Sequence, residues 1–251
     1  DKRRNTTPFN AVVEDNILDR LIPQIEISSD YQKRRADIDT FNATSKFLKK
    51  GIALTPIKYG IGFGLNFLNQ GGALLHLYQD GSLHLNHGGI EMGQGLFIKV
   101  AQVVAEELQV DVDRIRISAT STEKVPNTMA TAASSGTDLN AAAAQIAARK
   151  IKQRLVDFAS EHFKVPADQI HFLPNRLQIG NQEMPFSEVV ELAYLNRVPL
   201  SATGHYKAPL GDYNSAKLTG QPHRYYVYGA AVSEVLIDVL TGENRVTRVD
   251  I

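Results

Sequence analysis

The run His87-Gly88-Gly89-Ile90-Glu91-Met92-Gly93-Gln94-Gly95 joins an apolar, alternating segment to one with helical spacing. Glycines at such a junction let backbone N–H groups approach a ligand closely, and the N-terminus of the following helix favours an anion. The chemistry on offer is the binding of a phosphate-bearing or similar group. The spacing fits neither standard phosphate loop. No G-x-x-x-x-G-K-[ST] is present, and Gly93-x-Gly95 lacks the third glycine of the dinucleotide fingerprint. From the residues alone, an anion-binding loop and a plain tight turn both stay open.

A second segment has a similar character. Val125 to Asp138 is built from small and hydroxyl residues, among them Thr131, Ala132, Ala133, Ser134 and Gly136, and it ends where a helix begins. Small residues permit close backbone approach, while Ser135, Thr137 and Asp138 are also good N-cap residues, so capping alone is the plainer reading. Two loops, each feeding a helix N-terminus, could converge on one large anionic ligand. Other candidates are poorer. His76, His84 and His87 share one hairpin, but zinc needs a fourth position and further ligands. Glu106-Glu107 and Glu188/Glu191 fit solvated helix faces, Tyr225 to Tyr228 fits a packed strand, and no G-x-S-x-G elbow occurs.

The elements that must position these loops follow from periodicity. A short, partly apolar stretch runs from Ile17 to Ile25, and Tyr31 to Lys50 reads as an amphipathic surface helix. Gly51 to Lys58 reads as a strand broken by Gly60, Gly62 and Gly64. Ala73–Tyr78 and Leu83–His87 alternate around Asp80-Gly81, the signature of a tight β-hairpin. Leu96–Leu108 has helical spacing, Arg114–Ala119 alternates as a strand, and Thr120–Ser135 is a long loop of the functional or mobile kind. Asp138 to about Phe163 is a long helix, Val165–Phe172 a strand and Phe186–Asn196 a short helix. Strands follow at 200–206, 224–240 and 245–251, with Thr241-Gly242 placed as a hairpin turn. Leu108–Ile117 and Phe163–Phe172 echo each other: an apolar residue, two residues, Asp, one residue, Ile, one residue, then an apolar residue. Two helix-to-strand units of one design suggest an α+β fold of mixed sheets with packed helices, carrying two βα-type modules.

Composition sets the outer bounds. The 251 residues hold 27 Lys+Arg against 27 Asp+Glu, so no basic excess points to nucleic acid. Cysteine is absent, which excludes disulfides, thiolate metal sites and a cysteine nucleophile within this sequence. No apolar run approaches the ~20 residues of a membrane span. The chain opens at Asp1 rather than Met and stops at Ile251 inside a strand-like run, so both ends read as cut.

Taken in order, Gly60-Ile61-Gly62-Phe63, Leu68 to Ala73, Asp80-Gly81-Ser82, His87 to Gly95, Val125-Pro126-Asn127-Thr128, Thr131 to Ser134 and Asp138-Leu139-Asn140 resemble the molybdopterin-binding region of the xanthine dehydrogenase and aldehyde oxidase family. The Val-Pro-Asn-Thr run is similar to the xanthine dehydrogenase branch in particular. The resemblance implies an enzyme that hydroxylates purines or aldehydes with oxygen from water, through a molybdenum-molybdopterin cofactor, passing electrons to [2Fe–2S] clusters and FAD on other domains or subunits. It implies that Met92, Gly93, Gln94, Thr131, Ala132, Ala133, Ser134 and Gly136 bind the cofactor, and that Phe63 and Gly64 meet the substrate. Gly64 stands where xanthine dehydrogenases usually carry a substrate-contacting threonine, and Ala141-Ala142 where Gly-Gln usually follows Asp-Leu-Asn. The first departure bears directly on purine specificity.

The family's glutamate base lies beyond Ile251, and other site residues precede Asp1. The expectation is therefore a partial site with no catalytic residue and no direct metal ligand, inactive and without retained cofactor as an isolated segment. Residues 1–50 are expected to form a helical connecting segment, and 51–251 a partial molybdopterin-binding domain. The parent is expected to be a cytoplasmic hetero-oligomer with an iron–sulfur/FAD subunit or domains, touching neither nucleic acid nor membrane. An aldehyde oxidase-like hydroxylase and a non-catalytic binding or assembly module are the alternatives.

Overall fold

The protein is described here by a computed structural model covering residues 5–125, 127–209 and 211–251. Asp1 and the proline of the Val-Pro-Asn-Thr run, Pro126, lie outside the described residues. The chain forms two compact units: the segment up to Ile61 together with Asp212–Ile251, and Gly62–Gly211.

In the first unit, β1 (Leu48–Ile61) pairs antiparallel with β9 (Tyr225–Asp238), which pairs in turn with β10 (Asn244–Asp250). Helices α1 (Leu18–Ser28) and α2 (Tyr31–Thr44) cover one sheet face, where Ile25 packs with Ala230 and Val232. Arg34 of α2 bridges Glu234 and Asp250, each at 2.8 Å, which ties the helix to both neighbouring strands. The helix expected to reach Lys50 stops at Thr44. Asn42 is the reason: its amide bonds both the N–H and the C=O of Lys50 at 2.8 Å, while Lys49 Nζ takes the carbonyls of Asn42 and Ser45. A boundary between residues 50 and 51 thus falls inside β1. Nor does Gly60 break that strand; it lets the backbone lie against the His223 ring, where a Cβ would overlap it.

In the second unit, the sheet order is β4-β3-β2-β8, from Ile115–Ile117, Leu83–His87, Gln70–Leu77 and Ser201–Lys207. The expected β2–β3 hairpin forms, although its connection is the longer loop Tyr78–Ser82, with Gly81 at φ +82° and Asp80 accepting from Ser82. Helices α3 (Leu96–Leu108) and α4 (Gly136–Phe163) pack on the face that carries Leu75, Leu83 and Leu85. Strand β4 runs parallel to β3, so β3-α3-β4 is a βαβ unit. The second helix-to-strand module leads instead into a separate meander, β5 (Ile170–Leu173), β6 (Arg176–Ile179) and β7 (Gln182–Pro185), followed by α5 (Phe186–Leu195).

The sequence echo is a repeated helix stop. Gln109 and Lys164 both take φ near +55°, Val110 and Val165 bond back to Ala105 and Ser160, and a 3₁₀ turn precedes each strand. Glu107, expected on a solvated face, is instead largely covered and accepts from Gln145, Arg149 and Lys152 of α4.

Strand β8 approaches α4 so closely that a Cβ on Gly204 would collide with the backbone of Ala143 and Ala147. Gly204→Ala is expected to lower unfolding free energy in urea by at least the ~1–3 kcal/mol typical of overpacking. Gly229→Ala in β9, where a Cβ meets nothing within 4 Å, should change it far less.

Candidate cofactor site

The parallel pairing of β3 and β4 decides where the two loops go. Both strands end at the same edge of the sheet: β3 at His87, β4 at Ile117. The glycine-rich run leaves the first and the small-residue run leaves the second. Strand β2 is antiparallel to β3 and starts at that edge, so the Phe63 loop reaches it too. Ligands of open α/β sheets favour such carboxyl ends of parallel strands.

Hydrogen bonds join these loops. Ile90 N–H donates to Thr131 Oγ1 at 2.8 Å, and Gly62 N–H donates to the Ala133 carbonyl at 3.0 Å. Thr120 Oγ1 bonds the carbonyls of His87 and Gly89, each at 3.0 Å. Gly88 and Gly89 are required by close approach, since a Cβ on either would overlap Thr128 or Leu96 and Asn140.

The α3 N-terminus is not free for a ligand. The Glu91 carboxylate occupies it, accepting from Gly93 and Gly95 N–H at 2.9 Å and from Phe97 N–H at 3.0 Å. These donors, Phe97 first, hold the Glu91 carboxyl below its ordinary range. Gln94 closes the same loop by accepting from Met92 N–H at 2.6 Å and donating to the Ile90 carbonyl at 2.9 Å. The helix α4 differs: no side-chain hydrogen bond from its N-cap, Ser135, closes it. The residues before it are strained, with Ala133 and Ser134 both at φ +52°, a conformation that costs a non-glycine residue ~1–2 kcal/mol. Of the two loop-fed helix N-termini, that of α3 is thus taken by Glu91, and that of α4 carries Asp138 in its first turn.

The predicted binding residues are gathered at this edge. Met92, Gly93, Gln94, Ala132 and Ser134 are solvent-exposed, Thr131, Ala133 and Gly136 half-buried. A Cβ on Gly93 (φ +100°) meets nothing within 4 Å. Phe63 is half-buried and lies outside the packed core, clamped by Asn69, which accepts from its N–H at 3.0 Å and donates to its carbonyl at 2.8 Å. Gly64 follows it, also half-buried.

Sequence reasoning missed Glu91 as a cap, and it weighed His87 only as a poor zinc candidate, not as a buried anchor of the loop. His87 is 2% exposed, takes the Gly89 N–H on Nδ1 at 3.1 Å and stands edge-on to Phe97 with ring centroids 5.2 Å apart. Burial pushes its imidazole down to about 4, against the opposing pull of the Glu91 carboxylate. The three hairpin histidines do not converge. Strand alternation puts His76 and His84 side by side on the outer face, 6.2 Å apart, and His87 on the inner one. No cluster among the described residues could hold a metal ion.

This arrangement is that of a cofactor-binding α+β domain. Residues 24–251 match the family described as the Molybdopterin cofactor-binding domain, and the chain belongs to that family. It is 41% identical to the xanthine dehydrogenase/oxidase of Mus musculus across the whole chain, and 39% identical to the xanthine dehydrogenase of Blastobotrys adeninivorans across 98% of it. The matched stretch is 17% of the length of the first relative and 16% of the second. Among solved structures, the quinoline 2-oxidoreductase of Pseudomonas putida 86 has the same fold (TM-score 0.75, 20% identity, 97% of this chain and 31% of that one). The reconstituted CO dehydrogenase of Oligotropha carboxidovorans matches comparably (TM-score 0.74, 21% identity, 97% and 31%). No helix among the described residues is long and apolar enough to cross a membrane.

Acid should weaken this site in two stages. The unfolded chain protonates His87 near pH 6.5 but the folded chain only near 4, so stability falls across that window by about 3 kcal/mol in total. Glu91 has a depressed folded pKa, so its contribution holds above ~4.3 and is lost as pH falls through the lower folded value. Denaturant titrations at several pH values should show a flatter decline between pH 6.5 and 4 for His87→Phe; an unchanged decline would mean that His87 is not held neutral. In Glu91→Gln, amide exchange at Gly93, Gly95 and Phe97 should accelerate at pH 6, with the difference from wild type shrinking below pH 4.

Proposed function

We propose that this chain supplies the pterin-holding edge of a molybdenum hydroxylase related to xanthine dehydrogenases, and that purines of the xanthine and hypoxanthine type are its substrates. The observation that carries the reading is the hydrogen bond from Ile90 to Thr131. It brings the exposed Met92-Gly93-Gln94 turn beside the Thr131–Gly136 segment, making one ligand surface from two loops.

The residues fit such a cofactor. Gly93 offers open space where any side chain would intrude, Met92 and Gln94 face solvent, and α4 keeps a helix N-terminus that its N-cap side chain does not close. Met92, Gly93 and Gln94 would hold the pterin, and Thr131 to Ser134 with Gly136 its dithiolene and phosphate side, where the α4 dipole and N–H groups suit an anion. When bound, the group supplies two-electron oxidation with oxygen drawn from water. The chain itself binds and orients. Glu91 neutralises the α3 terminus and fixes the turn, Thr131 locks one loop to the other, and the Asn69 clamp presents Phe63 to a flat ring. Base, electron-transfer centres and partners (an iron–sulfur/FAD subunit or domains) belong to the rest of the proposed parent, a cytoplasmic hetero-oligomer by this reading.

Gly93→Ala separates cofactor binding from folding. The isolated chain should lose only the ~1–2 kcal/mol that positive φ costs alanine, since no atom is there to collide with. The parent should lose most of its molybdenum. Normal metal content in a folded Gly93→Ala parent would refute the reading. In the same parent, Phe63→Ala should lower kcat/KM for xanthine about 10-fold, from a lost ring contact and lost burial, with metal content intact.

A further inference from the structure

The face of the β4-β3-β2-β8 sheet turned away from α3 and α4 gathers cationic side chains. Pairing sets His76 of β2 beside His84 of β3, and His84 beside Arg116 of β4, in one row across three strands. The two imidazoles stack with ring centroids 6.2 Å apart, and Arg116 is exposed. The loop after β4 brings a fourth cation over the same face. Val125 rests on Gly72, where a Cβ would come within 3.0 Å of it, and this holds the preceding Lys124 in place. Lys124 Nζ donates to Ser118 Oγ at 3.0 Å and to the Ala119 carbonyl at 2.9 Å, both neutral acceptors. None of the four is ion-paired with a described residue. Burial first, then His76, Lys124 and Arg116, push the His84 imidazole down, and no carboxylate opposes them. Asp80, in the turn after β2, accepts instead from Ser82 N–H at 2.9 Å and Ser82 Oγ at 2.6 Å. Like charges side by side across strands are destabilising, so such a row favours an anion laid over it. At His76 and Ser201 the row opens into a groove of about 480 Å³ walled by Tyr78, Tyr194, Val198 and Leu200. Both tyrosines are open to solvent, 51% and 54% exposed.

We propose that this face binds an acidic peptide segment of a partner protein. Its carboxylates lie over the His76-His84-Arg116 row and Lys124, and an apolar side chain beside them enters the tyrosine-walled groove. Charge complementarity selects the partner: four groups that are or can become cationic, with no acid among them, suit carboxylates. The groove adds a seat for one ring, and tyrosines of this kind are frequent where a partner docks. A nucleic acid fits less well. The row spans two strand spacings, roughly 10 Å, too short a track for a phosphate backbone, and the chain has no basic excess, with 27 Lys+Arg against 27 Asp+Glu. The proposal does not rest on the cofactor reading, since no residue of the Met92 or Thr131 loops enters it.

The test titrates fluorescein-labelled Glu-Glu-Phe-Glu-Glu with the full-length parent, reading anisotropy at low ionic strength, where surface charge is least screened. Carboxylates favour charged imidazoles, so binding should tighten about 10-fold from pH ~8 to pH ~6, while the peptide stays ionised. His76→Gln should remove most of that pH dependence. Arg116→Gln and Lys124→Gln, made separately so that one misfolded variant leaves the other decisive, should each weaken binding several-fold at both pH values. Lys46→Gln, an exposed cation of the first unit, should change nothing. Replacing the peptide's phenylalanine by glycine should weaken binding about 5-fold to wild type, from lost burial, but not to Tyr194→Ala. Failure of the parent to bind, affinity unchanged by the row variants, or equal affinity for the phenylalanine and glycine peptides would each overturn the proposal. So would tighter binding of oligouridylate than of the peptide, since the face would then be a nucleic-acid site. Molybdenum content of the same variants, expected to stay at the wild-type level, keeps this result separate from the cofactor reading.

Discussion

The Glu91 carboxylate is the fixed point of the glycine-rich loop. A helix start leaves several N–H groups without internal partners, and a carboxylate that accepts them is favoured both by hydrogen bonding and by the helix dipole. With Gly93, Gly95 and Phe97 all donating to it, the chain must double back between residues 91 and 97. That path needs positive φ at Gly93 and Gly95, and it turns Met92 and Gln94 outward. The glycines are thus consequences of the cap as much as of any ligand. His87 and Thr120 secure the other end of the loop, at Gly89.

Topology then makes a local feature into a shared site. Had β4 run antiparallel to β3, the loop after it would have emerged at the far end of the sheet. A parallel neighbour needs a crossover, and α3 provides it. The same helix therefore closes the βαβ unit and, through Glu91, shapes the loop at its start. The Gly204 contact sets α4, entered from the second loop, close against β8.

Much of this was legible in the sequence. Periodicity gave the hairpin strands, α3, the body of α4 and α5, each of which buries one face, and also the C-terminal strands, although β10 is exposed along nearly its whole length. The β6 and β7 strands had a readable signal that went unused: Pro174-Asn175 and Gly180-Asn181 are turn dipeptides, and Asn175 and Gly180 take φ near +60°. The C-terminal end of α2 was not legible, since it depends on Asn42 meeting Lys50 across a turn. At the site, the two loops were identifiable from type and spacing, whereas the individual binding residues were named only through the family resemblance. From the residues their convergence was only one open reading, because it rests on the parallel register of β3 and β4, which alternation cannot encode. Nor could charge alone reveal that Glu91 folds back on its own helix rather than facing solvent.

That fold-back has an electrostatic consequence for where an anionic group would sit. Two helix N-termini beside one ligand would each favour its negative charge, and a phosphate could bind at either. Glu91 closes one of them: its charge cancels the α3 terminus and repels a second anion there. The α4 terminus is approached through two residues held at φ +52° and has no side-chain bond from its N-cap. On the reading proposed above, an anionic tail would therefore avoid the α3 terminus, while α4 brings a carboxylate of its own, Asp138, in its first turn. One carboxylate placed four residues before Gly95 thus orders the glycine-rich loop before any ligand arrives.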